Sequence, residues 1–362
     1  MAISEIFVRS PFILEIDVVG QTGSKIELYI YKDGTTPPTL PSYTLEKLIP
    51  ASNNTQTLYN ISPYLMEYIK HDSFQNNFSS NTALLNVDEY ILVDVKRYYL
   101  IAGTYVLIDT LNFYAYDGYG YYQQGVNPSN LFLVHLEPKN YYFWSGANNI
   151  PIANPLQRAG TFVSYLENGY SVKYTQLQTG LSFTNNITAD GIYNLYRVYS
   201  PYYLTGNKVE VFDTFSNLVW EATFYPIEEC YYDVQVVDFI NMYGTWQREF
   251  FFKASYESLN TTTSEFNLMQ KIGASAQWDT NLNQRQVFNT NGIITHRVNT
   301  GWVDESFNSN LQQLLLSERI LLDGKPVKMK TKDFNKEKNL NNKKINYTLE
   351  FEESYDLINN VI

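Results

Sequence analysis

The chain contains one cysteine, Cys230, among 362 residues. That excludes an intrachain disulfide and leaves a buried thiol as the plain expectation. Its three histidines, His71, His135 and His296, are too scattered for zinc-ligand spacing. No apolar run reaches the roughly 18 residues of a membrane-spanning helix. Glu5, Arg9, Glu15 and Asp17 interrupt the first twenty positions, which excludes a signal-peptide pattern there. The expectation is a chain without a membrane span, synthesised in a cytoplasm.

Signatures of chemistry are also missing. GxSxG, HExxH, a Walker phosphate loop and a GxGxxG after a strand are absent. The adjacent acids Glu228-Glu229 and Glu352-Glu353 point to opposite faces of a strand, so neither pair can flank a sugar as glycosidase carboxylates do. They read as solvated surface. No Asp/Asn-rich loop has EF-hand spacing, although scattered calcium ligands stay open. No catalytic residue, cofactor or resident metal is expected.

Basic residues are outnumbered, 26 against 37 acidic, for a formal net charge of −11 and a pI near 4.9. Such a chain repels nucleic acid and anionic membrane as a whole. The exception is local: Lys325 to Lys344 holds eight lysines and two acids. Lys328, Lys330 and Lys332 occupy alternate positions of one strand. This is how an exposed strand discourages unwanted pairing, and it is equally a surface for an acidic neighbouring subunit. Contact with nucleic acid is the less favoured reading.

What the chain has in abundance is aromatic side chains, 16% of residues with 32 tyrosines. Tyrosine covers a pleated surface and keeps its hydroxyl in water, so the composition favours β structure. In KIELYIYKDG, Ile26, Leu28 and Ile30 alternate with polar or aromatic neighbours before the Asp33-Gly34 turn. GTTPPTLP is a loop. Ser62 is placed to cap a short helix with Pro63 at its first position. TFVSYLENGYSVKYTQL reads as a hairpin over Asn168-Gly169.

TGSKIELY (22–29) is echoed by TGNKVEVF (205–212), and YILVDVKRYYLIAGTY (90–105) by YDVQVVDFINMYGTW (232–246), as a duplication would produce. Near the end, Phe307, Leu311, Leu314 and Leu315 share a helix face with Asp304 as its cap. Three strands follow. In the last, Ile345, Tyr347, Leu349 and Phe351 face in. If it pairs with the lysine strand about a turn near Leu340, Lys330 lies opposite Glu350 and Lys328 opposite Glu352.

The expected fold is mainly β: two antiparallel β-sandwich-like domains followed by a small α+β C-terminal domain. The boundaries are 1–125, an ordered linker 126–158, a second β-rich domain 159–284, and 285–362. Two aromatic clusters are candidate binding surfaces: Tyr114, Tyr116, Tyr119, Tyr121 and Tyr122 in NFYAYDGYGYYQQG, and Tyr142 and Trp144 in NYYFWSG. They suit a subunit interface or sugar stacking. The alternative is ordinary packing on the sheet.

Three stretches together resemble a known group. RSPFILEIDVVGQTGSKIELYIYKDG with PSYTLEKLIPASNNTQTLYNISPYLMEYI, then VVDFINMYGTWQREFFFKASYESLN, then VNTGWVDESFNSNLQQLLLSE with PVKMKTKDFN and INYTLEFEESYDLINNV are similar to tail-region structural virion proteins (tail tip, baseplate or hub) of tailed bacteriophages infecting Bacteroidetes. The resemblance implies a β-rich, non-catalytic assembly subunit of a viral tail, with other virion tail proteins as partners and a homo-oligomeric ring as its setting. A second expectation from another class is an adhesin recognising host-surface glycans through its Tyr/Trp clusters. A polysaccharide-degrading enzyme is the least favoured.

Overall fold

The computed structural model describes residues 4–50, 56–71, 82–83, 88–129, 133–146, 159–229, 231–269, 281, 283–333, 335–336 and 344–359. It is mainly β, built from several sheets. The chain divides into two compact units, Met1–Glu228 with Phe239–Glu249 and Glu229–Asp238 with Phe250–Ile362, instead of three successive domains and a linker.

The first sheet has the order β1 (Ser4–Phe7), β8 (Thr104–Tyr116), β7 (Tyr90–Ile101), β3 (Gly23–Tyr31), β4 (Tyr43–Leu48). β1 joins β8 in parallel and the other pairs are antiparallel. Ile26, Leu28 and Ile30 alternate as expected and are buried with Val93, Val95 and Phe113. The two-stranded ladder of β2 (Ile13–Asp17) and β5 (Gln56–Asn60) adds Leu14 and Tyr59 to this core, and helix α1 (Ser62–Met66) adds Leu65. Ser62 is not the cap, which is Ile61. Its hydroxyl instead donates to the Ser10 carbonyl at 2.7 Å and accepts the Phe12 N–H at 3.0 Å, fastening the Ser10-Pro11-Phe12 turn.

The other face of this sheet is covered too. A three-stranded sheet, β10 (Thr161–Leu166), β13 (Gly191–Tyr196), β6 (Thr82–Ala83), brings Val163, Tyr165 and Ile192 against Phe7, Tyr90, Tyr114 and Tyr116. Strand β8 is therefore buried on both sides at its C-terminal end, where alternation sends Phe113 and Ala115 to one core and Tyr114 and Tyr116 to the other.

A five-stranded sheet follows: β12 (Ser182–Asn186), β11 (Ser171–Gln176), β14 (Asn207–Phe212), β15 (Leu218–Ile227), β9 (Asn140–Trp144). Two expectations change here. Strands β10 and β11 turn at Asn168-Gly169, where Gly169 has φ +92°, but they do not pair. β10 pairs with β13 and β11 with β12 and β14, so the turn passes the chain between sheets that pack together, with Phe162 of β10 5.0 Å from Trp220 of β15. The expected linker is also no linker, because β9 lies within it and adds a parallel edge strand to β15. Its residues 147–158 lie outside the described residues.

The internal echo does not survive in topology. β3 pairs with β7, whereas β14 pairs with β11 and β15, and the counterpart of β7 is β16 (Gln235–Ile240), a strand of a different sheet. Similar alternation arises wherever a strand is half-buried, so the matched stretches share pattern without shared neighbours.

In the second unit, β20 (Ile320–Leu322), β21 (Lys325–Met329), β22 (Lys344–Glu353), β19 (Arg285–Asp304) and β18 (Lys253–Asn267) lie in that order, all antiparallel. On the β20 side the next strand is β16, through the part of it that belongs to this unit; β17 (Trp246–Phe251) follows it in the chain. Val236 of β16 donates its N–H to Asp323 Oδ1 at 2.9 Å, and its carbonyl accepts the Asp323 N–H at 2.8 Å. Helix α2 (Phe307–Leu315) separates β19 from β20, which makes the expected β-α-β-β-β ending.

Phe307, Leu311 and Leu314 of α2 are buried as expected, but Leu315 is half-buried and Gln313 is buried in its stead. Asp304 ends β19 and does not cap the helix, whose N-cap is Ser306. On β22, Ile345, Tyr347, Leu349 and Phe351 are buried, and the Tyr347 hydroxyl reaches Asn308 Oδ1 on α2. The turn expected near Leu340 lies outside the described residues, as does Cys230.

Candidate functional site

The aromatic candidates separate by burial. Tyr114, Tyr116 and Tyr119 are buried, so packing replaces the surface reading: the three-stranded sheet covers Tyr114 and Tyr116 on β8, and Tyr119 lies beneath the Arg9 guanidinium and beside Tyr121. Burial pushes all three phenols up from their ordinary range. Tyr121 is half-buried with its N–H donating to Gln124 Oε1 at 2.7 Å, and Tyr122 is 96% exposed. Tyr142 and Trp144 are half-buried on the same face of edge strand β9. Tyr142 has its cross-strand partner Tyr225 at 5.9 Å between ring centroids.

Several buried ionisable groups carry no signal in the sequence. His71 lies 3.1 Å from Asp117, His135 2.8 Å from Glu5, and His296 3.3 Å from Glu353. Arg197 is buried over the rings of Tyr141 and Phe224 and donates to the Arg248 carbonyl at 2.6 Å. Nearby, burial pushes the Glu249 carboxyl up, opposed by Arg197, and pushes the Lys139 ammonium down, opposed by Glu137. Most of these groups are buried and each is held by at least one partner within the fold, a structural arrangement. Among the described residues no group of three His, Cys, Asp or Glu side chains gathers as a metal would require.

The lysine strand has the expected register. Lys328 stands opposite Glu352, and the Lys330 N–H donates to the Glu350 carbonyl at 2.9 Å. Lys328, Lys330 and Lys332 are all exposed. The side chains do not pair across the strands, however: Lys330 Nζ donates to Thr295 Oγ1 at 3.2 Å on β19. The ion pair that does form is Lys325 with Glu353, at 3.6 Å. Glu353 is thus no solvated acid. Alternation turns it inward, where it is 3% exposed beneath Lys325 and His296.

Across the same outer face lies a groove of about 390 Å³, within the range of small-ligand sites. Its position follows from two interruptions in neighbouring ladders. The β18–β19 register shifts between Lys253 and Tyr256, and the β19–β22 register shifts between Asn299 and Trp302. A bulge bends its strand and re-aims side chains. Here Gly301 adopts φ +72°, a left-handed conformation that glycine enters without steric cost, and its N–H donates to Asn299 Oδ1 at 2.8 Å.

Lys253, Tyr256, Arg297, Asn299, Asn346 and Thr348 line the groove, with Tyr232 at its rim. Asn299 Nδ2 donates to Asn346 Oδ1 at 2.6 Å and to Thr348 Oγ1 at 3.0 Å. Lys253 Nζ lies 3.1 Å from Glu229 Oε2 and 5.6 Å from the centre of the Tyr232 ring. Backbone N–H groups led by that of Tyr231, together with Lys253, hold the Glu229 carboxyl below its ordinary range. Arg297 is exposed between Tyr256 on β18 and Glu350 on β22 in the register, and among the described residues its guanidinium makes no ion pair or hydrogen bond.

Beyond the groove β18 and β19 continue as a two-stranded ribbon. The last anchor is Asn291, which exchanges hydrogen bonds of 2.9 Å with the Ile358 backbone. From there residues 263–267 and 285–290 pair, among the described residues, only with each other. Leu259, Phe266, Val287 and Phe288 are exposed along β18 and β19. No protein-family model matches this chain, and no curated protein matches it in sequence.

Proposed function

We propose that this protein is a structural assembly subunit acting through protein–protein interfaces, with the tail tip, baseplate or hub ring of a tailed phage as its setting. The observation that carries the assembly reading is the β18–β19 ribbon. A two-stranded ribbon exposed on both faces is marginal in water, and apolar side chains on such a ribbon mark a surface meant to be covered. Phe266 and Phe288 sit 6.0 Å apart, centroid to centroid, near its end, as an aromatic anchor for a neighbouring subunit. The phage setting rests on the sequence resemblance.

Mass photometry over a concentration series tests the assembly reading. The parent chain forms closed oligomers, and Phe266→Ser with Phe288→Ser returns it to monomer without loss of folded signal. A chain that stays monomeric at every concentration, with or without its phage partners, overturns the reading. Antibody labelling of purified virions under the electron microscope tests the setting: label on the tail supports it, and unlabelled tails reject it.

A further inference from the structure

We propose that the groove between the two bulges is a binding site for a carboxylated sugar, such as a uronic acid unit of an acidic polysaccharide. The inference is independent of the assembly reading. It starts from a count of hydrogen-bonding groups. Asn299 is consumed internally, its amide by Asn346 and Thr348 and its carbonyl by the Gly301 N–H. What remains directed to a ligand is the Asn346 amide NH2, the Thr348 hydroxyl hydrogen and the Arg297 guanidinium, with the Lys253 ammonium shared with Glu229. Apart from the rim phenols, the groove offers mainly donors, and two of them are cationic.

A surface rich in donors and positive charge selects a ligand rich in acceptors and negative charge. Arg297 is the sharpest indicator. A guanidinium with no partner among the described residues has its fork of N–H groups available for two parallel bonds to one carboxylate. Glu350 is its neighbour in register and does not take that role. The site also sits in a chain of net charge −11, so its local sign is set against the remainder of the surface.

The rim decides between a sugar and an acidic peptide. Tyr256 is 65% exposed and Tyr232 45%, and aromatic rings beside amide and hydroxyl groups suit the apolar face of a pyranose as well as its hydroxyls. A peptide would seek backbone hydrogen bonds from an open strand edge. The groove instead presents side chains on the face of the sheet and is centred on β19, which is paired on both sides; the open edge belongs to the neighbouring strand β18, and the acidic peptide is therefore one arm of the test. Its volume of about 390 Å³ matches a compact ligand unit and not an extended segment.

Isothermal titration of the full chain with trigalacturonic acid tests the proposal, beside maltotriose as the uncharged sugar and hexaglutamate as the acidic peptide. Binding of trigalacturonic acid alone is expected, weakened at least about tenfold in Arg297→Gln, the loss typical of a charge-assisted hydrogen bond. Tyr256→Ala is expected to weaken it too, whereas Lys332→Ala leaves it unchanged. Arg297→Lys, which keeps the charge and loses the fork, falls between parent and Arg297→Gln. Absence of trigalacturonic acid binding, equal binding of maltotriose, equal or tighter binding of hexaglutamate, or an Arg297→Gln variant that binds like the parent each overturns it.

Discussion

His135 Nε2 lies 2.8 Å from Glu5 Oε1 inside the first unit, a contact between residues 130 positions apart. Glu5 belongs to β1, which reaches it by pairing in parallel with β8. His135 enters from the segment just before β9, where its N–H donates to the Val163 carbonyl at 2.8 Å. The Tyr116 ring sits edge-on to the imidazole at 4.4 Å. One polar contact thus fixes the N-terminal strand against a segment that the sequence presents as a connector.

Replacing His135 by leucine is expected to destabilise the chain strongly. Glu5 Oε2 has no hydrogen-bond partner among the described residues, and the substitution removes the Oε1 partner as well. Removing one member of a buried polar pair costs about 3–5 kcal/mol where the other is charged. Glu5→Gln keeps an acceptor for the imidazole and is expected to lose less. Urea denaturation midpoints of the three proteins check the order: parent above Glu5→Gln above His135→Leu.

Tyr116→Phe is expected to raise stability. The Tyr116 hydroxyl is buried without a hydrogen-bond partner among the described residues, and an unsatisfied buried polar group costs about 1–3 kcal/mol. Phenylalanine keeps the ring against Tyr90 and His135 and removes the cost. Tyr122→Phe, on a residue 96% exposed, serves as the comparison and is expected to stay within about 0.5 kcal/mol of the parent. A thermal midpoint for Tyr116→Phe below the parent would show that the hydroxyl is bonded.

The contrast between these two tyrosines shows where the sequence is legible. Period-two alternation identifies β3 and β22 because one face of each is buried and the other is wet. It identifies α2 through Phe307, Leu311 and Leu314. It misplaces Tyr114 and Tyr116 because a strand buried on both faces has no wet side, and only the arrival of β10 and β13 supplies the second core. Asn168-Gly169 announces a turn and does not say which sheet receives each arm. The groove is invisible in the sequence for a related reason: its lining comes from 232 to 348 and depends on two register shifts that no local pattern encodes. Only the register of the lysine strand against β22 was readable on that face, since side-chain alternation sets it.

Glu89 gives the chain a pH dependence with a definite sign. Burial first, and then the neighbouring Asp88 carboxylate, push its carboxyl from an ordinary 4.5 up to about 7. The folded chain therefore holds this proton more tightly than the unfolded one. The resulting stabilisation is fully present below about pH 4.5 and is lost as pH rises through about 7. Glu89→Gln cannot titrate. Its thermal midpoint is expected to gain on the parent as pH rises across that window and to run parallel above it. A constant offset between the two proteins at all pH values would reject the assignment.

Helix α2 offers a test of which leucines hold the C-terminal sheet. The amphipathic pattern treats Leu311 and Leu315 alike, one turn apart on the same stripe. The structure separates them, with Leu311 1% exposed and Leu315 only half-buried. The helix ends at Leu315 and the chain turns away there, the Leu316 N–H already shared between the Gln312 and Gln313 carbonyls. Cutting a buried leucine back to alanine costs about 2–5 kcal/mol, and less where solvent reaches the site. Leu311→Ala is therefore expected to lower the denaturation midpoint by at least twice as much as Leu315→Ala. Equal losses would mean that α2 packs along the whole stripe and that Gln313 does not take the place of Leu315 in the core. Because the inner face of β22 rests on the same helix through Tyr347, hydrogen exchange on β22 should quicken in Leu311→Ala and stay near the parent rate in Leu315→Ala.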